Sequence, residues 1–175
     1  MAVQGWETDY ISAQTDPVPD YLAFQRIRNP HLVADPKTIY GKLDKDFTIM
    51  KALVDKTQYR FLLNDPLARI TFFAVPDSLI PGYLKESFLK LDYGDATAII
   101  QCHISEEVRI VPQLISEDFL LPTKHPIVRL QTKKGRRAFH PFGINSQQMI
   151  AILNDGNMFV NGMVVVIGQP IIPLT

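Results

Sequence analysis

Cys102 and His103 are the neighbouring residues in this chain with the greatest capacity for chemistry. An imidazole titrates near neutrality and serves as a general base or metal ligand, and a thiol becomes a nucleophile when a base lowers its pKa. Adjacent side chains point in different directions, however, and this pair follows an apolar stretch, Ala96 to Ile100. His103 is therefore expected to be structural rather than catalytic, and Cys102 a small buried hydrophobe. A third reading, a cryptic Cys/His hydrolase or metal protein, would need both to be accessible.

The other histidines, His31, His125 and His140, form no i, i+4 pair and no His-x-His, and there is one Cys in all. No metal site is expected from that set. Gly-x-Gly-x-x-Gly, Walker and Gly-x-Ser-x-Gly sequences are missing too, so no cofactor and no catalytic residue is predicted. Glu106-Glu107 and Glu117-Asp118 sit beside predicted loops, where solvation is the default for carboxylates.

The surface signal is basic. Lys133, Lys134, Arg136 and Arg137 surround Gly135, with Lys124 and Arg129 nearby. A solvated hairpin tip is the first expectation; contact with an acidic protein surface or a phosphate-bearing partner is the second.

Charge sharpens this. The 175 residues carry 18 Lys+Arg and 18 Asp+Glu, a formal net charge of zero, which argues against a protein devoted to phosphate backbones. The zero hides segregation. Residues 91–123 hold six carboxylates against Arg109, net −5, and residues 124–145 hold six cations and no acid, net +6. Such blocks are solvated faces or complementary patches that meet another protein or a second copy of the chain. An apolar content of 46% with 10% aromatics excludes wholesale disorder. No apolar run reaches the roughly 18 residues of a membrane span. Met1–Glu7 has neither a basic nor an apolar region, so a location inside a cell or a virus particle is expected over conventional secretion.

The elements that position these groups fall into two parts. Residues 1–44 carry Pro17, Pro19, Pro30 and Pro36 with unperiodic aromatics, Trp6, Tyr10, Tyr21, Phe24 and Tyr40. This reads as an extended arm whose aromatic residues, Trp6, Tyr10, Tyr21 and Phe24 above all, are candidates for contact with a partner. Residues 45–175 read as one domain. Asp46 is expected to cap a helix from Phe47 to about Phe61, with Phe47, Met50, Leu53 and Val54 on one stripe. Ile70–Val75 is a buried strand closed by Pro76-Asp77. Asp95 is expected to cap a helix over 96–102, Val108–Val111 and Ile127–Gln131 read as short strands, and Gly135 makes a hairpin turn. Ser146 is expected to cap a helix to Leu153. Two final strands, Met158–Val160 and Met163–Ile167, meet at Asn161-Gly162, the dipeptide of a type I′ turn. The core is expected to include Phe47, Met50, Leu53, Phe72, Ala74, Ile99, Ile100, His103, Ile127, Ile152, Val164 and Ile167. Mixed helices and short strands point to an α+β domain.

Three ordered stretches resemble the fasciclin domain family. Ile70-Thr71-Phe72-Phe73-Ala74-Val75-Pro76-Asp77 is similar to its first signature, a threonine and an aromatic before Ala-Pro-Thr-Asp/Asn. Cys102-His103-Ile104 stands where the family has Tyr-His and an apolar residue. Asn161-Gly162 followed by Met163–Ile167, with Pro170–Pro173, is similar to the closing signature. The resemblance spans about residues 45–174 and implies structural roles for Phe73, Pro76, His103, Asn161, Gly162 and Pro173. Cys102 replaces the Tyr, Val165 the late His, and Asp155-Gly156 the Asp-Ile pair associated with adhesion. The fold implied is a fasciclin-like mixed β-sheet wedge packed with short helices, after the arm. Such domains are usually extracellular adhesion modules without catalytic machinery. The expectation is a non-enzymatic structural subunit docked in a larger assembly, for example a minor virion component; adhesion or matrix binding is the alternative. Partners would be other proteins, with nucleic acid disfavoured.

Overall fold

The computed structural model describes residues 32–144 and 148–174. Trp6, Tyr10, Tyr21, Phe24 and the Ser146 cap lie outside the described residues. The chain divides into two units, Met1–Ala34 and Asp35–Thr175, and the account below concerns the second. That unit starts ten residues before the expected 45 because α1 (Ile39–Lys42) sinks Ile39, Tyr40 and the following Leu43 into its core.

The helix α2 (Thr48–Asp55) forms because Ile49, Met50, Leu53 and Val54 recur on one face and are all buried. Asp46 does not cap it: its φ is 68°, outside any capping geometry. The helix stops at Asp55, well before Phe61, because the Thr57 hydroxyl donates to the Val54 carbonyl and competes with the helical ladder. A separate short helix, α3 (Tyr59–Leu63), follows.

The strand β1 (Ile70–Ala74) is buried on both faces, as a central strand of β-branched and aromatic residues should be. After a 3₁₀ turn at Asp77–Leu79 come α4 (Gly82–Leu89) and α5 (Tyr93–Cys102). The α5 cap is Asp92, whose carboxylate accepts the Asp95 N–H at 2.9 Å, so Asp95 is a first-turn residue rather than the cap. β2 (Ile104–Ser105) is brief. Val108–Val111 is no strand; Val111 opens the helix α6 (Val111–Leu114). Pro112 explains this, since it has no N–H for a ladder but fits a helix's first turn.

Four further strands build a second sheet: β3 (Leu120–Pro122), β4 (Arg129–Thr132), β5 (Ala138–Phe142) and β6 (Ile150–Ala151), hydrogen-bonded in that order. The strand expected from Ile127 thus begins two residues later. Val128 takes the buried place and Ile127 is 61% exposed, contrary to its expected core position. β6 also replaces the expected helix to Leu153: Ile150 and Ile152 alternate inward around exposed Ala151, a period-2 pattern. Every other expected core residue is buried.

β7 (Asn157–Phe159) and β8 (Gly162–Val166) complete the first sheet, ordered β2-β1-β8-β7. β8 runs parallel to β1, from Ile70↔Gly162 to Ala74↔Val166, and the other pairings are antiparallel. The two sheets join at an Ile152↔Ile167 bridge. Between them Phe73 meets Phe139 edge to face, with ring centroids 5.2 Å apart. This second unit is a mixed-sheet α+β wedge with its core where the sheets converge.

Candidate functional site

The C-terminal end of α5 delivers Cys102 and His103 to the interior. His103 is fully buried. Its Nδ1–H donates to the Ile99 carbonyl at 2.7 Å, and its Nε2 accepts the Ile171 N–H at 3.0 Å. Those partners fix the neutral Nδ1–H tautomer. Burial pushes the imidazole pKa down to about 4. Cys102 Sγ donates instead to the Ala98 carbonyl at 3.3 Å, and burial pushes the thiol up to about 12. Neither group meets the other, and both are committed to backbone. The arrangement can brace the fold; it has no thiolate to attack with and no open imidazole nitrogen.

The remaining motif residues are also braces. Asn161 is buried with three bonds: Oδ1 accepts the Ile39 N–H at 3.0 Å, Nδ2 donates to the Leu63 carbonyl at 2.7 Å, and its own carbonyl accepts the Ile70 N–H at 3.1 Å. It does not sit in a type I′ turn with Gly162. Phe159 pairs with Gly162, so Val160 and Asn161 form the turn. Gly162 has φ 141°, and a Cβ there would lie 1.8 Å from the Ile70 carbonyl oxygen, so only glycine permits β8 to approach β1. Pro76 leads into the 3₁₀ turn, whose Asp77 reaches back to α2. Its carboxylate accepts the Thr48 N–H at 3.2 Å, the Thr48 hydroxyl at 2.6 Å and the Ile49 N–H at 2.9 Å. Burial raises the Asp77 pKa, but these bonds more than offset it and hold the carboxyl below its ordinary range. Pro173 is buried and bridges to Ile144.

Among the described residues, no group of three His, Cys, Asp or Glu could hold a metal ion. His125 is occupied locally, its Nδ1 accepting the Ile127 N–H. His140 stands on the outer face of β5.

The basic run lies where expected. Lys133, Lys134, Arg136 and Arg137 are exposed around Gly135, whose φ is 76°. The tip is tied down: the Lys134 N–H donates to the Asp118 carboxylate at 2.7 Å and the Gly135 N–H to the Ile115 carbonyl at 2.8 Å. The acidic and basic blocks meet within this unit where Lys124 pairs with Glu106. Arg137 pairs beyond the acidic block, with Asp155 at 2.9 Å, and Arg109 within it, with Glu107 at 2.8 Å. Arg129, Lys133, Lys134 and Arg136 pair with no carboxylate among the described residues.

These cations border an exposed sheet face that sequence reasoning missed. Strand register aligns Leu120, Gln131 and His140 in one outward row and Pro122, Arg129 and Phe142 in the next. Leu120 is 51% and Phe142 46% exposed. The Phe142 ring meets His140 edge to face at 5.1 Å. Exposed Ile127 packs beside this row, its Cγ2 3.1 Å from where a Gly143 Cβ would be. The alternation in Ala138-Phe139-His140-Pro141-Phe142 carries the signal, since two of its aromatics must face outward when Phe139 faces in.

No family model matches the sequence, and no curated protein does. Solved structures do match. One is a FAS1 domain pair from the insect cell adhesion molecule fasciclin I, with a TM-score of 0.58 and 16% identity over 76% of this chain. The fold is fasciclin-like. The match spans half the length of that two-domain chain. In this fasciclin-like unit the motif residues His103, Asn161, Gly162 and Asp77 all hold elements together. Among the described residues, no helix is long and apolar enough to cross a membrane.

Proposed function

We propose that this chain is a non-enzymatic protein-interaction module, a fasciclin-like scaffold that presents its surface to other proteins. One observation carries the reading. Cys102 and His103, the residues with most chemical capacity, are spent on backbone partners, while apolar side chains stand on one outer face beside cations that have no carboxylate partner among the described residues. Buried polar groups bonded in this way brace a fold rather than turn over a substrate.

Adhesion or matrix binding is favoured over a subunit docked in a larger assembly, because the similar structure comes from a cell adhesion molecule. A virus-particle setting draws no support from fold or comparison.

The full chain, immobilised and verified as folded, is expected to bind intact cells or purified matrix proteins saturably. No saturable binding across such a panel overturns adhesion. Recovery of the chain only within a stoichiometric complex of defined partners puts the docked subunit in its place. Hydrolysis of a reporter ester by the chain, lost in His103→Gln at retained fold, overturns the non-enzymatic reading.

A further inference from the structure

We propose that the outer face of β3, β4 and β5 is the docking surface for an acidic segment of a partner protein, anchored by that segment's apolar side chains. The inference rests on the interaction-module reading and adds the surface and the chemistry of the partner.

Three observations carry it. The face is apolar where a soluble surface has no need to be: Leu120, Pro122 and Phe142 stand outward in two adjacent rows, with exposed Ile127 at their edge. Contiguous exposed apolar groups rimmed by polar ones mark association sites. The face and its tip also carry an excess of positive charge. Arg129 is in its middle, half-buried with its guanidinium donating to the His125 and Val128 carbonyls, and Lys133, Lys134 and Arg136 lie exposed at the β4–β5 tip; none of the four pairs with a carboxylate among the described residues. Of the nearby acids, Glu106 is engaged by Lys124, Asp155 by Arg137, and Asp118 by the Lys134 N–H, which leaves exposed Glu117 against the four cations. A partner that supplies carboxylates would complete these cations, and complementarity of this kind sets partner choice and encounter rate. Finally, the backbone of the tip is fixed by its bonds to Asp118 and Ile115, so a partner need not order that loop to reach the cations.

The geometry favours side-chain docking over strand addition. β3 is an edge strand of three residues, and its last, Pro122, has no N–H to offer. It also favours a peptide over single-stranded nucleic acid. The two rings present, His140 and Phe142, meet each other at 75°, and the rest of the apolar surface is aliphatic, whereas base-stacking platforms need free ring faces.

The experiment titrates ¹⁵N-labelled full chain with a synthetic peptide alternating Glu with Leu and Phe. Expected are saturable shifts confined to amides of residues 120–142, weakening with added salt. Leu120→Ser/Phe142→Ser and, separately, Arg129→Glu/Arg136→Glu should each weaken binding by about tenfold or more. Leu120, Phe142 and Arg136 are exposed and Arg129 is half-buried, and unchanged melting curves verify that the variants fold. Unmoved amides, shifts elsewhere, or unaltered affinity in both variants overturn the proposal. So does an oligouridylate that moves the same amides at lower concentration than the peptide. These outcomes leave the interaction-module reading intact, because that reading stands or falls on saturable binding to cells or matrix proteins.

Discussion

The Ile171 N–H donates to His103 Nε2 at 3.0 Å, so one imidazole at the end of α5 holds the C-terminal segment against the core. The same ring grips Ile99 through Nδ1. A protonated imidazole could not accept from Ile171, and burial leaves the added charge unsolvated.

Acid should therefore weaken this protein through His103. Its folded pKa is lowered from 6.5 to about 4, so the unfolded chain binds more protons between those values. The contribution is complete above about 6.5, is lost as pH falls toward about 4, and amounts to on the order of 3 kcal/mol. Urea unfolding of wild type and His103→Gln at pH 7 and pH 4 checks it. The variant should be the less stable at pH 7, and the two should converge at pH 4; a constant gap would contradict the assignment.

Removing Asn161 should be costly because its side chain serves two backbone groups from distant elements. Asn161→Ala strands the Ile39 N–H and the Leu63 carbonyl in the interior. At about 1–3 kcal/mol for each buried group left unpaired, the loss should be about 2–6 kcal/mol in denaturant unfolding at neutral pH. A loss under about 0.5 kcal/mol, typical of a surface site, would show that water replaces the amide.

Asp77 caps a helix that begins 29 residues earlier, at Thr48. Asp77→Ala should cost about 1–2 kcal/mol, and Asp77→Asn less, since its amide oxygen still accepts. The carboxyl's pKa is lowered in the fold, so its contribution is present above the ordinary carboxylate pKa and disappears as pH falls through the lower folded value. Thermal melts at pH 7 and pH 2 should separate wild type from Asp77→Ala only at the higher pH.

The Cys102 thiol should be inert in the native protein. With its pKa pushed up to about 12, almost no thiolate exists at pH 8, and the sulfur is buried. Labelling with a disulfide reagent should wait for unfolding and accelerate with urea. Fast stoichiometric labelling of native protein would mean that the site opens.

Much of the fold is legible in the chain. The β-branched and aromatic run of β1, the apolar stripe of α2 and the turn at Gly135 follow from local pattern, and the structure has all three. Two of the errors share one cause. A cap at Asp46 and a helix up to Leu153 follow from neighbours in sequence, whereas the cap and the pairing that win come from tertiary contact; the third, Asp95 for Asp92, is a local choice between two acids three residues apart. Asp77 reaches α2 from across the fold, and Ile150 and Ile152 become extended because Phe139 and Ile167 wait beside them. For the candidate site, the cations around Gly135 were legible as a surface signal. The apolar face beside them was not, because Leu120, Arg129 and Phe142 become neighbours only through strand register.

By itself the sequence determined the class of the fold, the burial of His103 and Cys102, and the motif set whose order marks a fasciclin-like wedge. Periodicity, β-branching and Gly conformation act over a few residues and suffice for the α+β class; the wedge is what the resemblance of the ordered motifs implies. Tertiary structure alone decided what the motif residues do and which charges stay unpaired. Asn161 joins α1, α3 and β1 across separations of up to 122 residues, and the −5 and +6 blocks cancel in part only where Lys124 meets Glu106. Hydrogen bonds and ion pairs act at about 3–4 Å, so their partners exist only once the chain has brought distant segments together.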